Sequence, residues 1–135
     1  MTVSAAGGRT APEDAGSAVV ESVVIVPIAM LIVMVVVQMC LWAHAATLVQ
    51  GAATAGEQAA SALGGSPAAG DIEARSTLAD TASKVVNDPS VVTQVLSGGV
   101  VEIRVSGAAE TIIPWLHLPV SATRVGISQE FRETG

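Results

Sequence analysis

Residues 16–43 read GSAVVESVVIVPIAMLIVMVVVQMCLWA, and this stretch decides how the chain folds. Every residue from 23 to 37 is apolar, and no charged residue occurs between Glu21 and Glu57. A helix of about 20 uncharged, apolar residues is long enough to cross a bilayer core of roughly 30 Å. We therefore predict a single membrane-spanning helix over about residues 22–43.

Three residues bear on how this helix would lie in a membrane. Pro27 lies early in the apolar run, where neighbouring groups can satisfy the carbonyl that a proline leaves free. Trp42 lies where the span should meet the far membrane surface, a position that amphipathic rings prefer. Arg9 is the only basic residue near either end, and basic residues favour the cytoplasmic side. We therefore expect a single pass through the cytoplasmic membrane, with the N-terminus in the cytoplasm and the C-terminal part outside.

The overall composition narrows the class of protein. The chain of 135 residues has room for one small domain beside the span, and its formal net charge is -6. An acidic chain whose few basic residues are scattered is a poor ligand for nucleic acid. Its one cysteine, Cys40, excludes an internal disulfide and lies inside the apolar run.

No sequence motif for catalysis or metal binding occurs. His44 and His117 are isolated, so no zinc-type ligand spacing is present. The paired glycines lack the Lys-Ser/Thr that follows in a phosphate-binding loop, and no Gly-x-Ser-x-Gly elbow occurs. We therefore expect a protein that is not an enzyme and that has no cofactor, no bound metal and no small-molecule substrate.

Three interpretations of the apolar segment remain open on these residues. The first is a plain signal anchor that keeps its N-terminus. The second is a secretory signal cut after Ala45, because residues 43–45 have a small-x-small pattern, although the apolar run exceeds the usual length of about 7–15 residues. The third is a prepilin-type segment that is cut after Gly16, on the cytoplasmic side of the span.

The third interpretation gives roles to Ser17 and Glu21. Cutting after Gly16 would leave Ser17 as the new N-terminus, with Glu21 four residues further along on the same helix face. A carboxylate at the edge of the hydrocarbon is costly unless it is paired, and a free terminal ammonium would supply the partner. Glu21 would then set the register of helices packed side by side. The competing interpretation of Glu21 is an ordinary charge flanking a span.

Residues 16–21, followed by Pro27 in an aliphatic span, resemble the N-terminus of TadE-like proteins. These are pseudopilin-type components of tight-adherence (Flp-type) pilus systems, and the Ala-rich residues 45–53 fit their long helix. The resemblance implies cleavage between Gly16 and Ser17 by a prepilin peptidase and insertion into the cytoplasmic membrane. It also implies a role in pilus assembly, with other pilins, pseudopilins and assembly platform proteins as partners.

The last third of the chain resembles actinobacterial members of this family more loosely. The resemblance rests on residues 100–106, 113–119, 120–125 and 131–132. The leader departs from the family pattern at Ala15, where many members carry an arginine beside the cleavage glycine.

The remaining sequence predicts two helices before a sheet. The first helix should begin near residues 17–21 and run to about Leu63, because residues 64–67, Gly-Gly-Ser-Pro, break it. Asp71 should cap the second helix, and residues 87–89, Asn-Asp-Pro, should end it. The apolar stripe of this second helix is predicted to consist of Ile72, Leu78, Ala79, Ala82, Val85 and Val86.

A small antiparallel sheet is predicted to follow. Residues 91–96 and 100–105, joined by a Ser-Gly-Gly turn, have the pattern of a hairpin. Its second strand should bury Val101, Ile103 and Val105. Residues 120–128 predict a third strand, with Thr123, Val125 and Ile127 on one face. A long helix and a short helix packed on a small sheet make a pilin-like α+β fold.

Two further features each have two interpretations. Small residues lie four apart at Gly51 and Ala55 and at Ala52 and Gly56, which either lets another helix approach closely or makes the helix flexible. Trp115 lies in an apolar, proline-bearing loop, which either presents an exposed contact patch for a partner or folds back on the small core.

We therefore expect a leader at residues 1–16, a long helix at 17–63 and a small extracytoplasmic α+β domain at 64–135. The predicted function is that of a minor pilin or pseudopilin, which is processed by a prepilin peptidase and acts at the membrane, the cell surface or the pilus. The alternative is a signal-anchored extracytoplasmic binding or interaction module unrelated to pili. A cut after Gly16 and a requirement for Glu21 would distinguish the two.

Overall fold

The computed structural model describes residue 2 and residues 13–128, and it has the predicted α+β fold. The elements are α1 (Glu13–Ser61), α2 (Pro67–Ala82), β1 (Val86–Leu96), β2 (Val100–Ala109) and β3 (Leu118–Ile127). The strands form one antiparallel sheet in the order β1-β2-β3. The chain divides into two compact units, Met1–Val36 and Val37–Gly135.

The second unit contains a small core built around the C-terminal half of α1. Five residues of this half, Ala45, Val49, Ala52, Ala53 and Ala60, are fully buried. Their spacing of three, four and seven residues places them on one helix face. They share a core with α2 and the sheet, in which Ile103 on the middle strand is also fully buried.

Two glycines bring α1 and α2 into close contact. A Cβ added at Gly56 on α1 would lie 2.8 Å from the Gly70 carbonyl oxygen and 2.9 Å from the Ala74 Cβ. A Cβ added at Gly70 on α2 would lie 2.7 Å from the Gly56 carbonyl oxygen. The predicted role of small residues in close helix packing is therefore confirmed at Gly56. At Gly51 an added Cβ would meet nothing within 4 Å, so this glycine does not serve the same purpose within the described residues.

The second helix starts earlier than predicted, because Ser66 rather than Asp71 is its N-cap. The Ser66 hydroxyl accepts a hydrogen bond of 3.1 Å from the Ala69 amide, and Pro67 takes the first helical position, where its missing N–H costs nothing. The predicted stripe was partly wrong. The helix buries Gly70, Ala74, Leu78 and Ala82, whereas Ile72 and Ala79 are exposed. The stripe consists mainly of small residues because α1 lies so close.

Residues 87–89 do not end this helix as predicted. The helix ends at Ala82, and these residues lie inside β1, where the pairing with β2 shifts register between Asn87 and Ser90. Asp88 has a φ of 48°, in the left-handed region. Proline cannot donate to a β-ladder, so its place in an edge strand is at such an irregularity.

The hairpin and the third strand are confirmed. Gly98 and Gly99 turn the chain with φ values of 85° and 77°, which favour glycine. In β2 the predicted residues Val101, Ile103 and Val105 are buried. In β3 Thr123, Val125 and Ile127 share one face, as predicted, and this face points outward. The buried residues of β3 are Val120, Ala122 and Gly126. Gly126 packs directly against the side chains of Ser61 and Glu57 on α1, where a larger residue would not fit.

Candidate membrane and assembly site

The predicted cleavage bond, between Gly16 and Ser17, lies within the first turn of α1. The helix begins at Glu13 rather than near residues 17–21 as predicted. Gly16 is exposed, and a Cβ added there would meet nothing within 4 Å. The first four amides of a helix lack intrahelical partners, so the turn that ends at Gly16 frays more easily than the interior of α1.

Ser17 and Glu21 occupy the same exposed face of α1. Both lie within the helix, four residues apart, and both side chains are exposed. The neighbouring Ser22 hydroxyl donates a hydrogen bond of 2.8 Å to the Ala18 carbonyl oxygen. A Ser22 hydroxyl satisfied in this way can enter an apolar medium at lower cost.

The N-terminal half of α1 presents large apolar side chains on all sides. Between residues 19 and 36, the large hydrophobic residues with more than half of their surface exposed are Val19, Val20, Val23, Val24, Ile25, Val26, Ile28, Met30, Leu31, Ile32, Val33, Val35 and Val36. Pro27 lies inside the helix, where it removes the amide that would bond the Val23 carbonyl. By length and composition, α1 is the one helix among the described residues that could cross a membrane.

Gln38, which interrupts the apolar run, is a buried contact of the second unit. Its side chain is only 2% exposed. The Gln38 Oε1 accepts a hydrogen bond of 3.0 Å from the Ile112 amide, and its Nε2 donates one of 3.3 Å to the Glu110 carbonyl oxygen. One side-chain amide thus satisfies both a donor and an acceptor of the segment that follows β2. Sequence reasoning missed this role, although a lone amide in an aliphatic run was a signal that it needs partners.

Trp42 lies one turn further along α1 and also contacts this segment. Its indole Nε1 donates a hydrogen bond of 3.3 Å to the Pro119 carbonyl oxygen at the start of β3, and its side chain is 36% exposed. The predicted place of Trp42 at a membrane surface is compatible with this contact, because the ring is still partly free. That place stays a prediction.

The β2–β3 loop, residues 110–117, carries Trp115 at its tip. The Leu116 amide donates a hydrogen bond of 3.1 Å to the Ile113 carbonyl oxygen, which closes a four-residue turn with Pro114 at its second position. Trp115 is the third residue of this turn and is 82% exposed. The ring therefore does not fold back on the core, and of the two interpretations the exposed patch is the one that fits.

The ionic contacts of the domain lie away from this loop. The Arg75 guanidinium on α2 donates to the Asp71 carboxylate at 2.8 Å and to the Val91 carbonyl oxygen at 2.9 Å. The bond from Arg75 holds the pKa of Asp71 below its ordinary value. This pair therefore fastens α2 to β1. Asp71 is not a cap because α2 begins four residues earlier, at Pro67. Among residue 2 and residues 13–128, no group of three or more His, Cys, Asp or Glu side chains could hold a metal ion.

Comparison with protein families gives a match in the N-terminal part of the chain. Residues 16–57 match the family model described as TadE-like protein. The matched segment includes the exposed apolar half of α1, and also Gln38, Trp42 and Gly56. Searches of curated proteins and of solved structures each gave no match.

Proposed function

We propose that this TadE-like chain is a minor pilin or pseudopilin of a tight-adherence (Flp-type) pilus assembly system. The observation that carries the proposal is the family match over residues 16–57, which begins at the predicted cleavage glycine. The exposed apolar surface of α1 supports it, because such a surface requires lipid or other apolar helices around it.

The proposed mechanism begins with removal of residues 1–16 by a prepilin peptidase. Gly16 has open space around it, so a protease could reach the bond once the first helical turn frays. The new amino group at Ser17 would lie one turn from Glu21, on the same face. Pairing between this ammonium, or that of a neighbouring subunit, and the Glu21 carboxylate would set the register between adjacent helices.

In this proposal the span holds the subunit in the cytoplasmic membrane until assembly. The leader lies in the cytoplasm, and the α+β domain outside the membrane meets the other pilins and the assembly platform. A cut after Ala45 is the less favourable alternative. Ala45 is fully buried in the core, and such a cut would remove Gln38 and Trp42, whose side chains hold the β2–β3 loop.

The test is the N-terminal residue of the full chain extracted from membranes, measured by intact mass with and without a co-expressed prepilin peptidase. We expect a chain that begins at Ser17 only when the peptidase is present. Gly16→Val should abolish the cut, since a branched side chain replaces the cleavage glycine. Gly51→Val is the matched control, because an added Cβ meets nothing within 4 Å at either site. Retention of residues 1–16, or a chain beginning at Ala46, would contradict the proposal.

A second measurement tests the role of the carboxylate. Glu21→Gln keeps the shape of the side chain but removes its charge, so pilus formation should fail while cleavage and membrane insertion continue. Glu73→Gln on α2 is the matched control, because Glu73 is also an exposed helical glutamate. Normal pili in the Glu21→Gln variant would show that the Glu21 charge does not set the register between adjacent helices. A retained leader together with normal pili in every variant would point to a plain membrane anchor.

A further inference from the structure

The β2–β3 loop, residues 110–117, is fastened to a single turn of α1. Gln38 bonds both the Glu110 carbonyl and the Ile112 amide, and Trp42 bonds the Pro119 carbonyl just after the loop. Gln38 and Trp42 are four residues apart, so both point from the same helix face. The loop therefore lies at the same height along α1 as residues 38–42.

Residues 38–42 lie at the outer end of the apolar segment of α1. The run that is wholly apolar ends at Val37, and a span that begins near residue 22 reaches its far surface at about residues 38–43. A loop bonded to Gln38 and Trp42 is consequently at the depth of the interface between lipid and water. This step rests on the proposed function only in requiring that α1 crosses a membrane.

The loop has the chemistry of an interfacial contact. Trp115 is 82% exposed and Ile112 is 49% exposed, and no Asp, Glu, Lys or Arg occurs from Thr111 to Thr123. A tryptophan ring with an apolar body and one N–H donor is enriched at the head-group level of membranes. Pro114 in the tight turn restricts the backbone that presents the ring, which lowers the entropy lost on binding.

We propose that the tip of the β2–β3 loop inserts into the outer interfacial layer of the membrane that α1 spans, with Trp115 as its anchor. The occupant of this apolar patch is lipid, because the loop is bonded to the turn of α1 at which the apolar run ends. The insertion is shallow. Glu110 at the base of the loop is exposed, and the irregular backbone needs hydrogen-bond partners that hydrocarbon does not offer.

The test uses the full chain in phosphatidylcholine nanodiscs, in which both membrane faces are accessible. Trp42→Phe leaves Trp115 as the only indole. Its fluorescence should be quenched more by lipid brominated near the head group than by lipid brominated near the chain ends, and it should be protected from acrylamide. The matched control is Trp42→Phe/Trp115→Phe/Leu63→Trp. Leu63 is also 82% exposed but lies beyond the end of α1, roughly 30 Å from Trp42 along the helix axis.

We expect severalfold stronger quenching by brominated lipid at Trp115 than in the Leu63→Trp control. Equal and weak quenching at both sites would overturn the proposal and leave the loop in water. Protection of Trp115 from acrylamide without quenching by brominated lipid would overturn it in favour of a protein partner or a second copy of the chain.

A second variant avoids loss of the Trp42 bond to Pro119. Cys40→Ala/Ile112→Cys, labelled with a nitroxide, keeps Trp115 and reports depth by its relative accessibility to oxygen and to a water-soluble relaxation agent, with Cys40→Ala/Leu63→Cys as control. We expect an interfacial depth at position 112 and an aqueous environment at position 63. A chain that does not enter the nanodisc would overturn both this proposal and the membrane step of the proposed function. An uncut leader would overturn only the latter's processing step.

Discussion

The two halves of α1 use opposite kinds of residue for opposite surroundings. From residue 19 to residue 36 the helix carries mostly Val, Ile, Leu and Met, and nearly all of these are exposed. From Ala45 to Ala60 its inward face consists of Ala, Gly and one Val, and these are buried. Large apolar residues are thus outside and small ones inside, the reverse of what size alone would favour in water.

The two halves of this one helix are therefore suited to different solvents. Exposed apolar surface costs about 25 cal/mol per Å² in water, so the first half requires lipid or other helices. The second half gains stability from close approach, since Gly56 and Gly70 let two helix backbones nearly touch. Its core is small, so single buried groups should matter greatly there.

The largest predicted contrast comes from the same substitution made in each half. Val49→Ala removes two methyl groups from a fully buried site and should lower the free energy of unfolding of the domain by about 2–3 kcal/mol. Val33→Ala removes them from a side chain that is 61% exposed and should change it by less than about 0.5 kcal/mol. Hydrogen exchange of the β2 amides, in the full chain in detergent micelles, measures both.

Equal effects of the two substitutions would contradict this difference between the two halves of α1. They would mean that the first half of α1 contributes to the same folding unit as the sheet. If only Val49→Ala lowers the free energy of unfolding, the large aliphatic residues in the first half of α1 do not stabilise the domain and serve another purpose.

The two glycines of the second half should respond with opposite signs to the same change. Gly56→Ala places a methyl group within 3.0 Å of the α2 backbone and should destabilise the domain by about 1–3 kcal/mol. Gly51→Ala meets nothing and should stabilise α1 by up to about 1 kcal/mol through helix propensity. Thermal unfolding of the two variants in the same detergent gives the sign directly. A stabilising Gly56→Ala would show that α1 and α2 can move apart at little cost.

Much of this fold could be predicted from the sequence because its patterns are local. The uncharged run, the Gly-Gly turn and the alternation in β2 each specify an element without reference to the rest of the chain. The errors arose where tertiary contacts decide. Ile72 looked like a core residue by periodicity, yet the approach of α1 admits only small side chains on that face of α2. The sequence did not reveal which face of β3 points inward, because Gly126 on that face carries no hydrophobic signal.

The candidate site divides in the same way. Gly16, Ser17 and Glu21 stand out as a motif in the sequence, and their processing and assembly roles remain proposals. Gln38 could not be assigned, because its partners are backbone groups about 70 residues away that no pattern identifies. The apolar character of the loop around Trp115 was visible in the sequence. The position of this loop along α1 was not visible in the sequence, because only its hydrogen bonds with Gln38 and Trp42 reveal that position.

The smallest predicted effect concerns Gln38, which lies at the boundary between the two halves of α1. Gln38→Leu makes the apolar run more lipid-like but leaves the Ile112 amide and the Glu110 carbonyl without their partner. A buried polar group without a partner costs about 1–3 kcal/mol, and solvent at the partly exposed loop should reduce this to roughly 1 kcal/mol. We expect faster hydrogen exchange at Ile112 while membrane insertion is unchanged or improved. Gln50→Leu, at an exposed site on the same helix, should leave that exchange unaltered. If Gln38→Leu were silent too, residue 38 would belong to the lipid-facing half, and the boundary that it marks would lie further along α1.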